Sequence, residues 1–148
     1  MKLFFDTSAL VKFFHEETGT DGVTSWINNP DNEIWVLDLA RLEFASALYR
    51  RFRNKGISES DIDTALASFI EQVSSFNIEP LGQSVVDEAE SLMSNFGKTK
   101  GLRTLDALHL AAYLLISEED WTFVSTDKNL CDTARAAGCS VLNPLENH

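Results

Sequence analysis

Residues 102–130 read LRTLDALHLAAYLLISEEDWTFVSTDKNL, and this stretch decides the fold. From Thr104 to Ser117 the residues are apolar nearly all round, which predicts a buried helix. Thr122 to Ser125 then reads as a short strand. Asp127 follows it and opens a helix over Lys128 to Ala137 that Gly138 stops. Helix, strand and helix in close succession indicate parallel strands joined by helical crossovers.

The same alternation extends outward along the chain. Lys2 to Phe5 is a short strand ending at Asp6, Ser8 to Glu17 reads as a helix, and a second short helix covers Asp21 to Asn28. Asn29-Pro30-Asp31-Asn32 is a turn, and Ile34 to Leu37 is the next strand. Asp38 is placed to cap a helix to about Lys55, with Leu42, Ala45, Tyr49 and Phe52 along one face and Gly56 at its end. Ser58 and Asp61 form a helix-start box for a helix to about Phe76. Asn77 to Leu81 is the third strand and Ser84 to Phe96 a helix. Gly97 to Gly101 reads as a mobile connection, and Ser140 to Leu142 is the last strand. No repeat or linker interrupts residues 1–148, so one α/β domain is expected, with a mostly parallel sheet and helices on both faces. Ligands bind such sheets beyond the carboxyl ends of the strands, where strand order reverses.

Composition narrows the function. A content of 44% hydrophobic and 24% charged residues is that of a soluble globular protein. No apolar run is long enough to cross a bilayer and no signal peptide is visible, so a cytoplasmic location is expected. Cys131 and Cys139 lack metal-ligand spacing and read as reduced, buried thiols. A net charge of −11 argues against broad capture of nucleic acid, although bound divalent cations invert such a field locally. Two basic groups, Arg50, Arg51, Arg53 and Lys55, and Lys98, Lys100 and Arg103, are either RNA-phosphate contacts or solvated helix ends.

Four carboxylates carry the chemistry. Asp6 and Asp127 each follow a strand at the carboxyl edge, where an acid also serves simply to cap the next helix. Asp106 lies in the first turn of the buried helix, with Leu102 and Leu110 four residues to either side. A carboxylate there is costly unless it is protonated, paired with Arg103 or bound to a metal. Glu43 borders an apolar stripe, and its alternative is an ion pair with Arg41 or Arg50. Converging acids of this kind suit one or two Mg²⁺ or Mn²⁺ ions and the hydrolysis of phosphodiesters. His109, one turn after Asp106, reads as a satisfied core histidine more readily than as a site residue. Trp26, Trp35 and Trp121 read as packing residues rather than base-stacking ones. Phe13, Phe14, Phe44, Tyr49 and Phe52 are either core or a partner surface.

At these residues the chain resembles the PIN-domain family, and most closely its VapC-type toxin branch. The matching segments are FFDTSAL from Phe4, LARLEFASAL from Leu39, LRTLDALHLAAY from Leu102 and FVSTDKNL from Phe123. The resemblance spans essentially the whole chain. It implies a five-stranded sheet of order 3-2-1-4-5 and a Mg²⁺- or Mn²⁺-dependent ribonuclease. The family's acids fall on Asp6, Glu43, Asp106 and Asp127, and its small hydroxyl positions on Ser8 and Thr126. It also implies a homodimer held inactive by a cognate antitoxin. Two other classes stay open on the residues alone. One is an aspartyl-phosphate phosphatase built on Asp6, although the second acid that chemistry wants is replaced by Ser8. The other is a binding or scaffold module in which the acids only cap helices.

Overall fold

The computed structural model describes residues 1–146. Its strands are β1 (Lys2–Phe5), β2 (Glu33–Leu37), β3 (Asn77–Glu79), β4 (Trp121–Val124) and β5 (Val141–Leu142). Its helices are α1 (Thr7–Phe14), α2 (Thr20–Asn28), α3 (Leu39–Arg53), α4 (Glu59–Val73), α5 (Gln83–Lys100), α6 (Thr104–Ile116) and α7 (Lys128–Ala136). The five strands form one sheet in the order β3-β2-β1-β4-β5, and each neighbouring pair is parallel. β1 pairs with β2 on one side and β4 on the other, so strand order reverses beside β1.

Side chains alternate across the sheet, and this divides the core in two. Leu3 and Phe5 of β1 join Ile34, Val36 and Val124 in one cluster, where Phe44 of α3 and Phe69 of α4 stack. Phe4 points the other way and stacks with Phe123, with Tyr113 of α6 edge-on to both. With both faces covered, the central strands are buried and their apolar runs need no polar alternation. α6 is mostly buried, as its composition predicts, and packs mainly against α5, but Leu105 and Leu115 on one edge are exposed. Trp121 is buried, Trp35 leans on it at 5.1 Å, and Trp26 packs on the opposite core, so all three tryptophans serve packing. Cys131 is buried and Cys139 half-buried; both are free, and burial pushes each thiol up to about 11.

Several local expectations are corrected. Gly97 to Lys100 is not a mobile connection but the last turn of α5, where Gly97 lets the Met93 sulfur approach closely. The helix ends instead at Gly101, whose φ of 63° suits a residue without a Cβ. α3 buries Ala40, Phe44 and Leu48, not the stripe of Leu42, Ala45, Tyr49 and Phe52. Leu42 is 71% exposed, with Tyr49 and Phe52 also exposed, because Phe44 locks the helix through its stack with Phe69. Asp38 does not cap α3: its backbone is helical and its carboxylate pairs with Arg41. The turn after α3 is made at Lys55, with φ of 60°, one residue before Gly56. β3 stops at Glu79 because Pro80 has no N–H to continue the ladder. Among the described residues no helix is long and apolar enough to cross a membrane.

Candidate functional site

The reversal point brings the carboxyl ends of β1 and β4 side by side, and each strand hands its next residues to a helix start. α3 and α6, from opposite faces of the sheet, meet over this edge through Glu43 and His109. The result is a cleft of about 710 Å³ whose walls include Thr7, Glu43, Arg50, Arg51, Arg103 and Asp106.

Glu43 and Asp106 line this cleft, whereas Asp6 and Asp127 do not; Asp6 lies at the strand end beside the wall residues Thr7 and Ser8. It is buried, caps α1 by accepting from the Ala9 amide at 3.0 Å, and accepts from the hydroxyls of Ser8 and Ser125, each at 2.7 Å. Burial pushes its pKa up, against the opposing pull of His109 and of the three donors. Asp127 caps α7 through the Leu130 amide at 2.9 Å, and its other oxygen accepts from Arg103 Nη2 at 2.7 Å. Asp106 takes the same guanidinium at 3.0 Å. Burial raises the Asp106 pKa, with Arg103 acting in the opposite sense. The capping roles expected for Asp6 and Asp127 and the pairing expected for Asp106 are thus all present.

Glu43 differs from expectation. Neither Arg41 nor Arg50 pairs with it; Arg41 is held by Asp38. Its carboxylate accepts from Thr7 Oγ1 at 2.8 Å and from Nε2 of His109. Burial would raise its pKa, but the hydrogen bond and charge of His109, with Thr7, outweigh burial and hold it below the usual value.

Of the two hydroxyl positions, Ser8 supports Asp6 directly and accepts from the Thr126 amide at 3.1 Å. Thr126 contributes that amide and lines the cleft, while the hydroxyl reaching Asp6 from β4's end belongs to Ser125. Ser125 and Thr7 were not singled out in the sequence; each adjoins a named residue, and only the turn geometry selects between neighbours. Arg50, Arg51 and Arg103 line the cleft, with Lys12 joining them and Glu17 pairing with both Lys12 and Arg51. Arg53 lies instead beside Lys55 and Gly56 at a separate surface depression, and Lys98 and Lys100 end α5 outside the cleft lining.

The donor chemistry fits a hard divalent cation, since the acids offer carboxylate oxygens and no thiolate. Their present arrangement holds a guanidinium: Arg103 bridges Asp106 and Asp127. Among the described residues no three His, Cys, Asp or Glu side chains are grouped so as to hold a metal ion.

The PIN domain model matches residues 3–136, and the chain belongs to that family. Over 139 residues it is 29% identical to Ribonuclease VapC45 of Mycobacterium tuberculosis (strain CDC 1551 / Oshkosh), covering 94% of this chain and 93% of that protein. Among solved structures it is similar to FitAcB from Neisseria gonorrhoeae, with a TM-score of 0.71 and 16% identity, covering 98% and 99% of the two chains. It is also similar to a chain of a toxin-antitoxin complex from Klebsiella pneumoniae, with a TM-score of 0.64 and 18% identity, covering 98% and 99%. These structural likenesses establish the shared fold, including the 3-2-1-4-5 sheet.

Proposed function

We propose that residues 1–148 act as one domain, a cytoplasmic Mg²⁺- or Mn²⁺-dependent endoribonuclease that is the toxin of a toxin–antitoxin pair. The observation that carries this reading is the buried carboxylate of Asp6 at the strand reversal, next to a cleft lined by Asp106 and Glu43, with Asp127 joined to Asp106 through Arg103. An acid kept out of water with its pKa raised is costly to the fold, which argues for a ligand that needs its charge. The ribonuclease name of the VapC45 relative supports RNA as the substrate class.

In this reading Asp6, Glu43, Asp106 and Asp127 hold one or two ions. When bound, such ions lower the pKa of water and stabilise charge on the phosphate oxygens. Ser8 and Ser125 aim the Asp6 oxygens. Arg50 and Arg51 border the cleft where an RNA backbone would lie, and Arg103 is available to a phosphate once released from the acids. Exposed Leu42, Tyr49 and Phe52 on α3 offer an apolar surface for an antitoxin or a second copy. The phosphatase alternative loses ground because Ser8 stands where that chemistry wants a second acid.

Mn²⁺ titration calorimetry and RNA cleavage in Mg²⁺, on the wild type and on Asp106→Asn, test the proposal. The wild type should bind Mn²⁺ stoichiometrically, and Asp106→Asn should lose about 10²-fold or more in cleavage rate, the scale of a misplaced reactant. A capping-only protein would bind no ion; that result, or full activity in Asp106→Asn, overturns the assignment.

A further inference from the structure

Glu43 is aimed by a device unlike that of the other three acids of the proposed site. Asp6 and Asp127 are held by the backbone turns they cap, and Asp106 by an exposed guanidinium. Glu43 sits one turn into α3, where no cap fixes it, and its long side chain would otherwise sample several rotamers. Its Oε1 instead receives two groups from distant parts of the chain. Thr7 Oγ1 at the start of α1 donates at 2.8 Å, and Nε2 of His109 in α6 pairs with the same oxygen. Thr7 Oγ1 and His109 Nε2 themselves lie 3.4 Å apart, which closes a triangle across three elements. Among the described residues Oε2 of Glu43 accepts no hydrogen bond.

His109 is not an ordinary packed histidine. It is 2% exposed, and its Nδ1 has no partner among the described residues. Burying a polar ring is unfavourable unless its hydrogen bonds are made, and every polar contact His109 has is directed at Glu43 or at the Thr7 hydroxyl that also serves Glu43. A residue retained only to fill space would be better replaced by leucine. Its cost is understandable if it organises the acid.

We propose that His109, assisted by Thr7, is the positioning residue for Glu43: together they tie Oε1 back to the fold and leave Oε2 as the oxygen presented to the cleft. The proposal rests on the metal-site reading of Glu43 given above. His109 touches neither substrate nor ion; it acts through the carboxylate. Residues that orient metal ligands in this way typically change metal affinity by about 10–100-fold when removed.

Mn²⁺ calorimetry on the full chain tests the assignment with four variants, His109→Leu, His109→Gln, Thr7→Val and Glu43→Gln, each checked for its fold by circular dichroism. His109→Leu should weaken Mn²⁺ binding about tenfold or more. His109→Gln, whose amide nitrogen can stand where Nε2 stands, should restore it to within about threefold of wild type, and Thr7→Val should show a smaller loss than His109→Leu. In the Glu43→Gln background, His109→Leu should cost nothing further, because the oxygen it orients is no longer a charged ligand. Equal losses from His109→Leu in both backgrounds, or wild-type affinity in His109→Leu, would overturn the positioning role. If His109→Leu does not fold, Thr7→Val read in the same two backgrounds decides the matter by the same comparison. Failure of the wild type to bind Mn²⁺ is a separate result, one that removes the metal site itself.

Discussion

Asp6 and Asp106 lie at the same edge of the sheet, yet the protein holds them by opposite means. Asp6 is 3% exposed, and its oxygens take two serine hydroxyls and a backbone amide. The Asp106 side chain is 21% exposed and leans on Arg103, whose own side chain is 70% exposed and shared with Asp127. The inner acid is fixed by short, neutral donors rooted in the central strands and their turns, so its geometry is set before any ligand arrives. Asp106 and one oxygen of Asp127 share one long, solvated guanidinium, whose hold is weak and readily exchanged. A site built this way keeps the inner acid fixed and leaves the Arg103 contacts replaceable.

The sharpest way to break this contrast is to remove the inner support. Ser125→Ala deletes the hydroxyl that donates to Asp6 Oδ2 and accepts from the Asp127 amide at 3.1 Å. It leaves a buried carboxylate under-satisfied, and chemical denaturation should show a loss of about 2–3 kcal/mol. A change below about 0.5 kcal/mol would mean that water or relaxation replaces the serine and that Asp6 is not rigidly held.

The second test concerns the charge on Asp6. Burial raises its pKa above the ordinary 3.8, so the folded state holds this proton more tightly than the unfolded chain does. Asp6 therefore contributes most below pH 3.8, and that contribution is lost as pH rises through its folded value. Asp6→Asn carries no charge at any pH, so in EDTA at pH 7 it should melt above the wild type. The gap should narrow as pH falls toward 3.8. A wild type that melts higher at pH 7 would show that the three donors more than compensate burial. Added Mn²⁺ should reverse the order, since only the wild type has the full ligand set.

The smallest effect is expected on the outer side. Arg103→Gln should change metal-free stability by less than about 1 kcal/mol, as for other solvated ion pairs. It should tighten Mn²⁺ binding, because no resident cation then competes for Asp106 and Asp127. Weaker Mn²⁺ binding in Arg103→Gln would place Arg103 among the supports of the ligands and erase the contrast with the inner side.

Much of this protein is legible from local chemistry. Alternating strands and helices, the Ser58–Asp61 capping box, the stop at Gly138 and the buried character of α6 all follow from short-range patterns, and the structure has each of them. Short-range patterns mislead where two local solutions compete. Gly97 looks like a breaker but serves helix packing, and the stripe of Leu42, Tyr49 and Phe52 looks like a core face but is exposed. For α3 a partner from elsewhere in the chain decided, Phe69 against Phe44; for Gly97 the neighbour is Met93, one turn back in the same helix.

The acids divide along the same line. That Asp6 and Asp127 follow strands, and that Asp106 opens an apolar helix, are facts of sequence order, and parallel β-helix crossovers carry those positions to one edge whatever the details. The caps on Asp6 and Asp127 and the Arg103 partner of Asp106 follow from sequence order too, but the remaining supports were decided only in three dimensions. The Ser125 hydroxyl reaches Asp6 across 119 positions of chain, and Thr7 and His109 meet Glu43 across 36 and 66. Periodicity reports which side of an element faces inward, but a hydrogen bond depends on angstrom-scale placement of groups from different elements, which only the packed core supplies. The carboxylates, the Arg103 partner of Asp106 and the Ser8 hydroxyl could therefore be named from the sequence, whereas the Thr7 and Ser125 hydroxyls and the aim of the His109 imidazole at Glu43 emerged from the fold.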